Sequence, residues 1–409
     1  MHHLSRSLTA ALALLVVCLT TAALAGCGGP AGSGRQPQEA VQALLDRQAK
    51  ALLDRDEPSF LAAVDPRAGD YRTRQAALFR NLTDVPLAGW EYRLTSPPRR
   101  EPSGRIRAGA ELRYRLRGYD EAPVTVEQPL YLSERGGRWY VTGTAAGPPQ
   151  LWDAGRVLVE RGAHSLVLGT GTGTAARERL REIRDIAERS VPAVDDAWDG
   201  PWAGRVVVLA PATLDGMASL LDAPASGYQG IAAVTTGETG GSAAPADRVV
   251  INPEAYDSLG GVGRRIVLTH ETAHVATRSA TTAGTPLWLS EGFADWAGYL
   301  GSHTTARQAA PELARALGRG ELPKTLPADD DFRFGGDADH LARAYEESWL
   351  ACALIAERWG PDRLRALYRA VGADKRPGDA VERALRAELG VGRAEFVRLW
   401  RAYLRDRLG

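Results

Sequence analysis

An α+β chain built from at least two folded parts is predicted by three observations. Residues 37–147 open with helical apolar spacing and then change to strand-like runs. Residues 150–300 alternate strand and helix and end on a helix bearing His270-Glu271-Thr272-Ala273-His274, and from His303 onward every apolar pattern is helical. With 409 residues and an apolar share of 44%, the chain can bury two or three cores.

The first 27 residues read as a targeting segment. Arg6 lies in a short leading region, an apolar run extends from Leu8 to Leu19, and Leu24-Ala25-Gly26-Cys27 follows. That ending resembles a bacterial lipobox. The resemblance implies cleavage before Cys27, a diacylglyceryl group on its sulfur, and a location outside the cytoplasm, anchored to the cell membrane by an N-terminal lipid. Two acyl chains anchor stably where one is marginal. The alternative is an ordinary secretory signal cut after small residues. Residues 28–36, which include the run Gly28-Gly29-Pro30-Ala31-Gly32-Ser33-Gly34, read as a flexible tether. No other stretch approaches the roughly 20 apolar residues that span a bilayer.

In the first folded part, Val41, Leu44, Leu45 and Leu52 form a helical stripe broken only by Gln48. Short helices are expected over 60–64 and 71–82, and strands over 90–94, 110–116, 124–132 and 138–142. Helices first and antiparallel strands after is the element order of the nuclear transport factor 2-like cone, which this part resembles in that respect alone. Such a domain can bind a ligand or partner, or act as a spacer.

In the second part, strands are expected over 157–160, 165–168, 205–209, 231–235 and 249–251. Helices are expected over 175–198 and 214–221, and the motif helix from about 262. The run Gly169-Thr170-Gly171-Thr172-Gly173 lacks both dinucleotide-loop spacing and a P-loop lysine, and reads as a permissive turn.

Histidines four apart on a helix are separated by about 6 Å along the axis and about 40° around it, so His270 and His274 leave one face and can grip one ion. Glu271, about 100° round from His270, can lie beside the metal as a base rather than a ligand. Catalytic zinc takes three protein ligands and keeps one position open, so a third donor must come from elsewhere. Glu291 is the candidate.

The run Leu268-Thr269-His270-Glu271-Thr272-Ala273-His274, followed by Pro286-Leu287-Trp288-Leu289-Ser290-Glu291-Gly292-Phe293-Ala294-Asp295, resembles the gluzincin metallopeptidases of the peptidase MA-like group. The resemblance implies a βα lobe over 150–300 carrying the HExxH helix and a helical lobe over 301–409. It implies zinc held by His270, His274 and Glu291, with Glu271 as the base. It also implies Asp295 as the acid that holds the other nitrogen of His270. Thr277 and Ala280 stand where the metzincin pattern needs Gly and His. In gluzincins an edge strand above the metal pairs with substrate backbone; residues 230–235 are either that edge or an internal strand.

Helices are expected over 305–317, 338–358, 361–371, 380–389 and 394–408. The family's oxyanion donor is a Tyr or His from the helical lobe, which implies Tyr345, or else His340. His303 reads as a surface residue and Cys352, in an apolar helical run, as a buried small one. No GxMEN strand anchors a substrate amino terminus, which favours internal cleavage.

The expected function is hydrolysis of peptide bonds in a peptide or protein substrate, with Zn2+ as cofactor. The alternative is a catalytically silent metal-binding surface lipoprotein that binds ligands or proteins. Lys+Arg and Asp+Glu balance at 50 each and no Arg cluster stands apart from acids, which gives no support to a nucleic-acid partner.

Overall fold

Residues 37–145, 147–236, 246–334, 336–376 and 378–409 are described by a computed structural model. The predicted signal segment, Cys27 and the tether lie outside the described residues. Among those described, no helix is long and apolar enough to cross a membrane.

The chain opens with helices α1 (Pro37–Leu53), α2 (Glu57–Leu61) and α3 (Gly69–Asn81). Seven strands follow: β1 (Leu87–Leu94), β2 (Arg99–Arg100), β3 (Ile106–Ala108), β4 (Ala110–Leu116), β5 (Val124–Glu127), β6 (Leu130–Arg135) and β7 (Arg138–Thr144). They form two antiparallel sheets, ordered β1-β4-β5 and β2-β3-β6-β7. The single strand predicted over 124–132 is therefore two strands in different sheets. The break falls at Gln128-Pro129, where proline has no N–H for a continuing ladder.

A second sheet system follows, with β8 (Leu158–Arg161), β9 (Ser165–Gly169), α4 (Gly173–Ala197), β10 (Val206–Ala210), α5 (Leu214–Leu220), β11 (Ala233–Thr236) and β12 (Arg248–Ile251). Its order is β11-β12-β10-β9-β8, parallel through β12, β10 and β9 and antiparallel at both ends. Alternate residues of the central strands face opposite ways. Val167, Val206 and Val208 pack with Leu180, Ile183 and Val191 of α4. Leu166, Leu168 and Val207 pack with Trp90 and Tyr114 of the first part and with Trp152 just beyond it. Burial on both faces explains why these strands read as unbroken apolar runs.

One buried ion pair crosses the same seam. Arg248 of β12 makes two hydrogen bonds of 2.8 Å to Asp120, whose side chain is 1% exposed. Paired this way, the guanidinium is held above its usual pKa although burial alone would lower it.

Beyond β12 come α6 (Pro253–Ser258), capped by Asn252, then α7 (Gly261–Thr277) and α8 (Leu287–Tyr299). The remainder is helical: α9 (Ala306–Ala309), α10 (Pro311–Gly318), α11 (Ala338–Trp359), α12 (Pro361–Ala373), α13 (Ala380–Ala384) and α14 (Arg393–Leu408). The helix predicted over 305–317 is split because Pro311 opens α10 at its first turn. That predicted over 380–389 passes into one π-helical turn at Leu385–Leu389, stopped by Gly390 at φ 72°. Trp198 ending α4, Phe293 of α8 and Tyr368 of α12 meet at ring centroid distances of 5.2 to 5.5 Å and join the helical core to the sheet system.

Two glycines set how closely α8 fits. A β-carbon at Gly292 would lie 2.4 Å from the Ser348 carbonyl oxygen of α11, and one at Gly298 would lie 2.9 Å from that of Ile266 in α7. Helix α8 is thus pressed against a neighbour on each side. Gly292→Ala should destabilise the fold by about 1–3 kcal/mol, whereas Gly263→Ala, where the new methyl meets only Leu259, should stabilise α7 by up to about 1 kcal/mol. Asp120→Ala, which strands a buried guanidinium, should cost about 3–5 kcal/mol. Denaturant titration of the three variants checks these values.

Candidate metal centre

Helix α7 buries Leu268, Thr269, Thr272, Ala273 and Ala276. His270 and His274, one turn apart, are left on a face that meets α8. That helix starts after Pro286, where the Leu287 amide donates to the Asp329 carboxylate at 2.8 Å. Its close approach at Gly298 brings Glu291 against the histidine pair.

The resulting geometry is a small triangle. His274 Nε2 lies 3.1 Å from His270 Nε2, and both nitrogens lie 3.2 Å from Glu291 Oε2. Two lone-pair nitrogens and an anionic oxygen at such distances require a shared proton or a cation. Tetrahedral bonds of 2.0–2.1 Å place ligand atoms about 3.3–3.4 Å apart, close to the observed edges. Among the described residues these three are the group of His, Cys, Asp and Glu able to hold a metal ion. Two imidazoles and one carboxylate suit zinc in both donor type and number.

Asp295, one turn beyond Glu291, accepts from His270 Nδ1 at 2.8 Å. The proton held on Nδ1 turns the Nε2 lone pair toward the centre of the triangle. Burial pushes the His270 pKa down, but the Asp295, Glu291 and Glu271 carboxylates together raise it well above the usual value. Burial likewise disfavours the Glu291 carboxylate, yet the two imidazoles hold it well below the usual carboxylate range. Negative surroundings that would keep a proton on His270 also attract a cation.

Glu271 stands beside the triangle without belonging to it. Only 6% exposed, its Oε2 accepts a 2.6 Å hydrogen bond from Thr235 Oγ1. Thr235 belongs to β11, which pairs with β12 alone among the described strands. Residues 233–236 are therefore an edge of that sheet rather than an internal strand. Nothing about a threonine in a strand-like run marked it as the partner of Glu271, because β-branched residues are ordinary there.

β11 forms one wall of a cleft of about 510 Å³ that is also lined by His270, Glu271, His274 and Glu291 and by Tyr345 and Phe334. Arg278, one turn after His274, ties α7 to this wall. It donates to the Asp247 carboxylate at 3.0–3.1 Å and to the Thr236 carbonyl at 3.4 Å. Burial raises the Asp247 pKa to about 6 despite that arginine.

Tyr345 reaches the cleft. Its ring centroid lies 6.3 Å from that of His270 and 5.3 Å from that of Phe332. Burial and the Glu291, Asp295 and Glu271 carboxylates raise its pKa well above the usual value, so the phenol stays protonated. His340 does not reach the cleft: it is exposed and pairs with Asp331 at 2.9 Å. His303 sits exposed in a loop at φ 57°. Cys352 is fully buried beside Gly292, and burial pushes its thiol pKa well up.

No protein-family model matches the chain, and no curated relative does. Solved M1 zinc metallopeptidases are similar to it. A two-domain M1 zinc metallopeptidase variant bound to L-arginine is 16% identical at a TM-score of 0.35, covering 67% of this chain and 58% of that one. An M1 zinc metallopeptidase from Deinococcus radiodurans is 17% identical at a TM-score of 0.33, covering 68% and 58%. The chain thus spans less than two thirds of the length of either. The candidate metal centre rests on its own geometry.

Loss of His274 or Glu291 by alanine substitution should abolish stoichiometric zinc, while Asp295→Asn should weaken zinc affinity by about 10–100-fold. Metal analysis after competition with a chelator reads both.

Proposed function

We propose that the chain is a zinc-dependent peptidase, with His270, His274 and Glu291 as ligands and Glu271 as general base. One observation carries this reading: a buried carboxylate, Glu271, stands free of the ligand triangle yet is held beside it. A site that only binds metal has no use for a further acid there.

Bound by the triangle, zinc would lower the pKa of a water toward about 7 and polarise a carbonyl. Glu271 takes the proton of the attacking water and passes it to the leaving nitrogen. Tyr345, kept protonated by its surroundings, donates to the oxygen on which negative charge develops. Asp295 holds His270 in the tautomer that leaves Nε2 free. The edge of β11 offers backbone N–H and C=O groups to an extended peptide lying in the cleft. With no anchor for a free amino terminus read in the chain, internal bonds are the expected targets.

The lipobox-like ending at Cys27 supports attachment to the outer face of the cell membrane. Residues 37–147, with three helices ahead of two antiparallel sheets, we read as a nuclear transport factor 2-like cone seated on the back of the metal-bearing part.

Glu271→Gln should keep one zinc per chain and lose cleavage of casein and of peptides blocked at the amino terminus; unchanged cleavage would remove Glu271 as the base. Tyr345→Phe should lower kcat by about 100–1000-fold with zinc content unchanged. A zinc-loaded wild type that cleaves nothing across a broad peptide library would favour the silent metal-binding module instead.

A further inference from the structure

We infer that Thr235 is the positioning residue for Glu271, so that the strand offered to substrate also aims the base. The inference rests on the peptidase reading for its kinetic consequence and on the observed contact for its structural one.

Glu271 has three side-chain torsions and sits where water is largely excluded, so its carboxylate needs a fixed partner to hold one direction. Helix α7 supplies none: its neighbours His270 and Thr272 are committed elsewhere, to Asp295 and to the Leu268 carbonyl. Thr235 reaches over from β11. Its hydroxyl lies 2.6 Å from Glu271 Oε2 and 3.1 Å from the Glu271 backbone carbonyl oxygen, so both ends of one residue approach one oxygen. The hydroxyl has a single proton. A hydrogen bond to a carboxylate is the stronger choice, and the shorter distance falls there.

The anchor is itself stiff. A β-branched side chain in a strand keeps few rotamers, and Thr235 is registered opposite Val249 in the β11–β12 ladder. The adjoining residue is fixed as well, with Thr236 Oγ1 donating to the Arg248 carbonyl at 3.3 Å and its own carbonyl accepting from Arg278. With Oε2 occupied by Thr235, Oε1 is the oxygen left to meet the water. Displacement of a reacting group by about 1 Å costs about 100-fold in rate, and loss of an outer partner typically costs about 10–100-fold.

The test compares wild type with Thr235→Val, Thr235→Ser and Glu271→Gln. Thr235→Val, close in shape but without the hydroxyl, should lower kcat by about 10–100-fold with KM within about twofold, and with zinc stoichiometry and Tm retained. Thr235→Ser should recover kcat to within about threefold of wild type. A crystal structure of metal-free Thr235→Val should show the Glu271 carboxylate turned from its wild-type direction. The proposal is overturned if that carboxylate keeps its position, if kcat of Thr235→Val stays within about twofold of wild type, or if the effect falls on KM and serine does not restore it. Full cleavage by Glu271→Gln would instead remove Glu271 as the base. In that case, or if wild type is silent, the position of Glu271 in the Thr235→Val crystal decides the inference alone.

Discussion

Three donor atoms within 3.1–3.2 Å of one another form an arrangement that a folded chain does not hold without cause. Two imidazole nitrogens and a carboxylate oxygen so placed need positive charge between them, and the surrounding packing keeps them together. Helix α8 can bring Glu291 to α7 only because Gly292 and Gly298 present no side chain to Ser348 and Ile266. The closeness of three helices thus becomes the size of the donor triangle, and Phe293 of α8 is further held by its contacts with Trp198 and Tyr368.

Around the triangle, each polar group has an assignment that charge explains. Asp295 orients His270, Thr235 orients Glu271, and Tyr345 stays protonated because it faces three carboxylates. The cleft wall is braced in turn. Arg278 joins α7 to Thr236 and Asp247, and the adjacent Arg248 is locked to Asp120 of the first folded part. The first part therefore touches the strand pair that borders the cleft through a buried, doubly hydrogen-bonded ion pair, and its apolar core is shared with β9 and β10.

Much of this was readable in the chain. The four-residue spacing of His270 and His274 dictates one helical face wherever the helix is placed, and the one-turn interval between Glu291 and Asp295 puts both acids on the same side of α8. Element boundaries were less readable where one residue overrides a pattern. Pro129 divides a strand run between two sheets and Pro311 divides a helical stripe, although the apolar spacing continues through both. Which of Tyr345 and His340 enters the cleft was open, because five residues along a helix reverse the face only by a margin that packing decides.

The sequence by itself determined which donor side chains are present, their spacing within each helix and the carboxylate between the histidines, and the fixed pitch of an α-helix turns that spacing into a shared face. Only the tertiary structure decided how near α8 comes to α7, that β11 is an edge, and that Thr235 bonds Glu271 across 36 positions. The physical reason is range: helical periodicity is a property of neighbouring residues, whereas the contact of a strand hydroxyl with a helix carboxylate depends on where the whole sheet comes to rest.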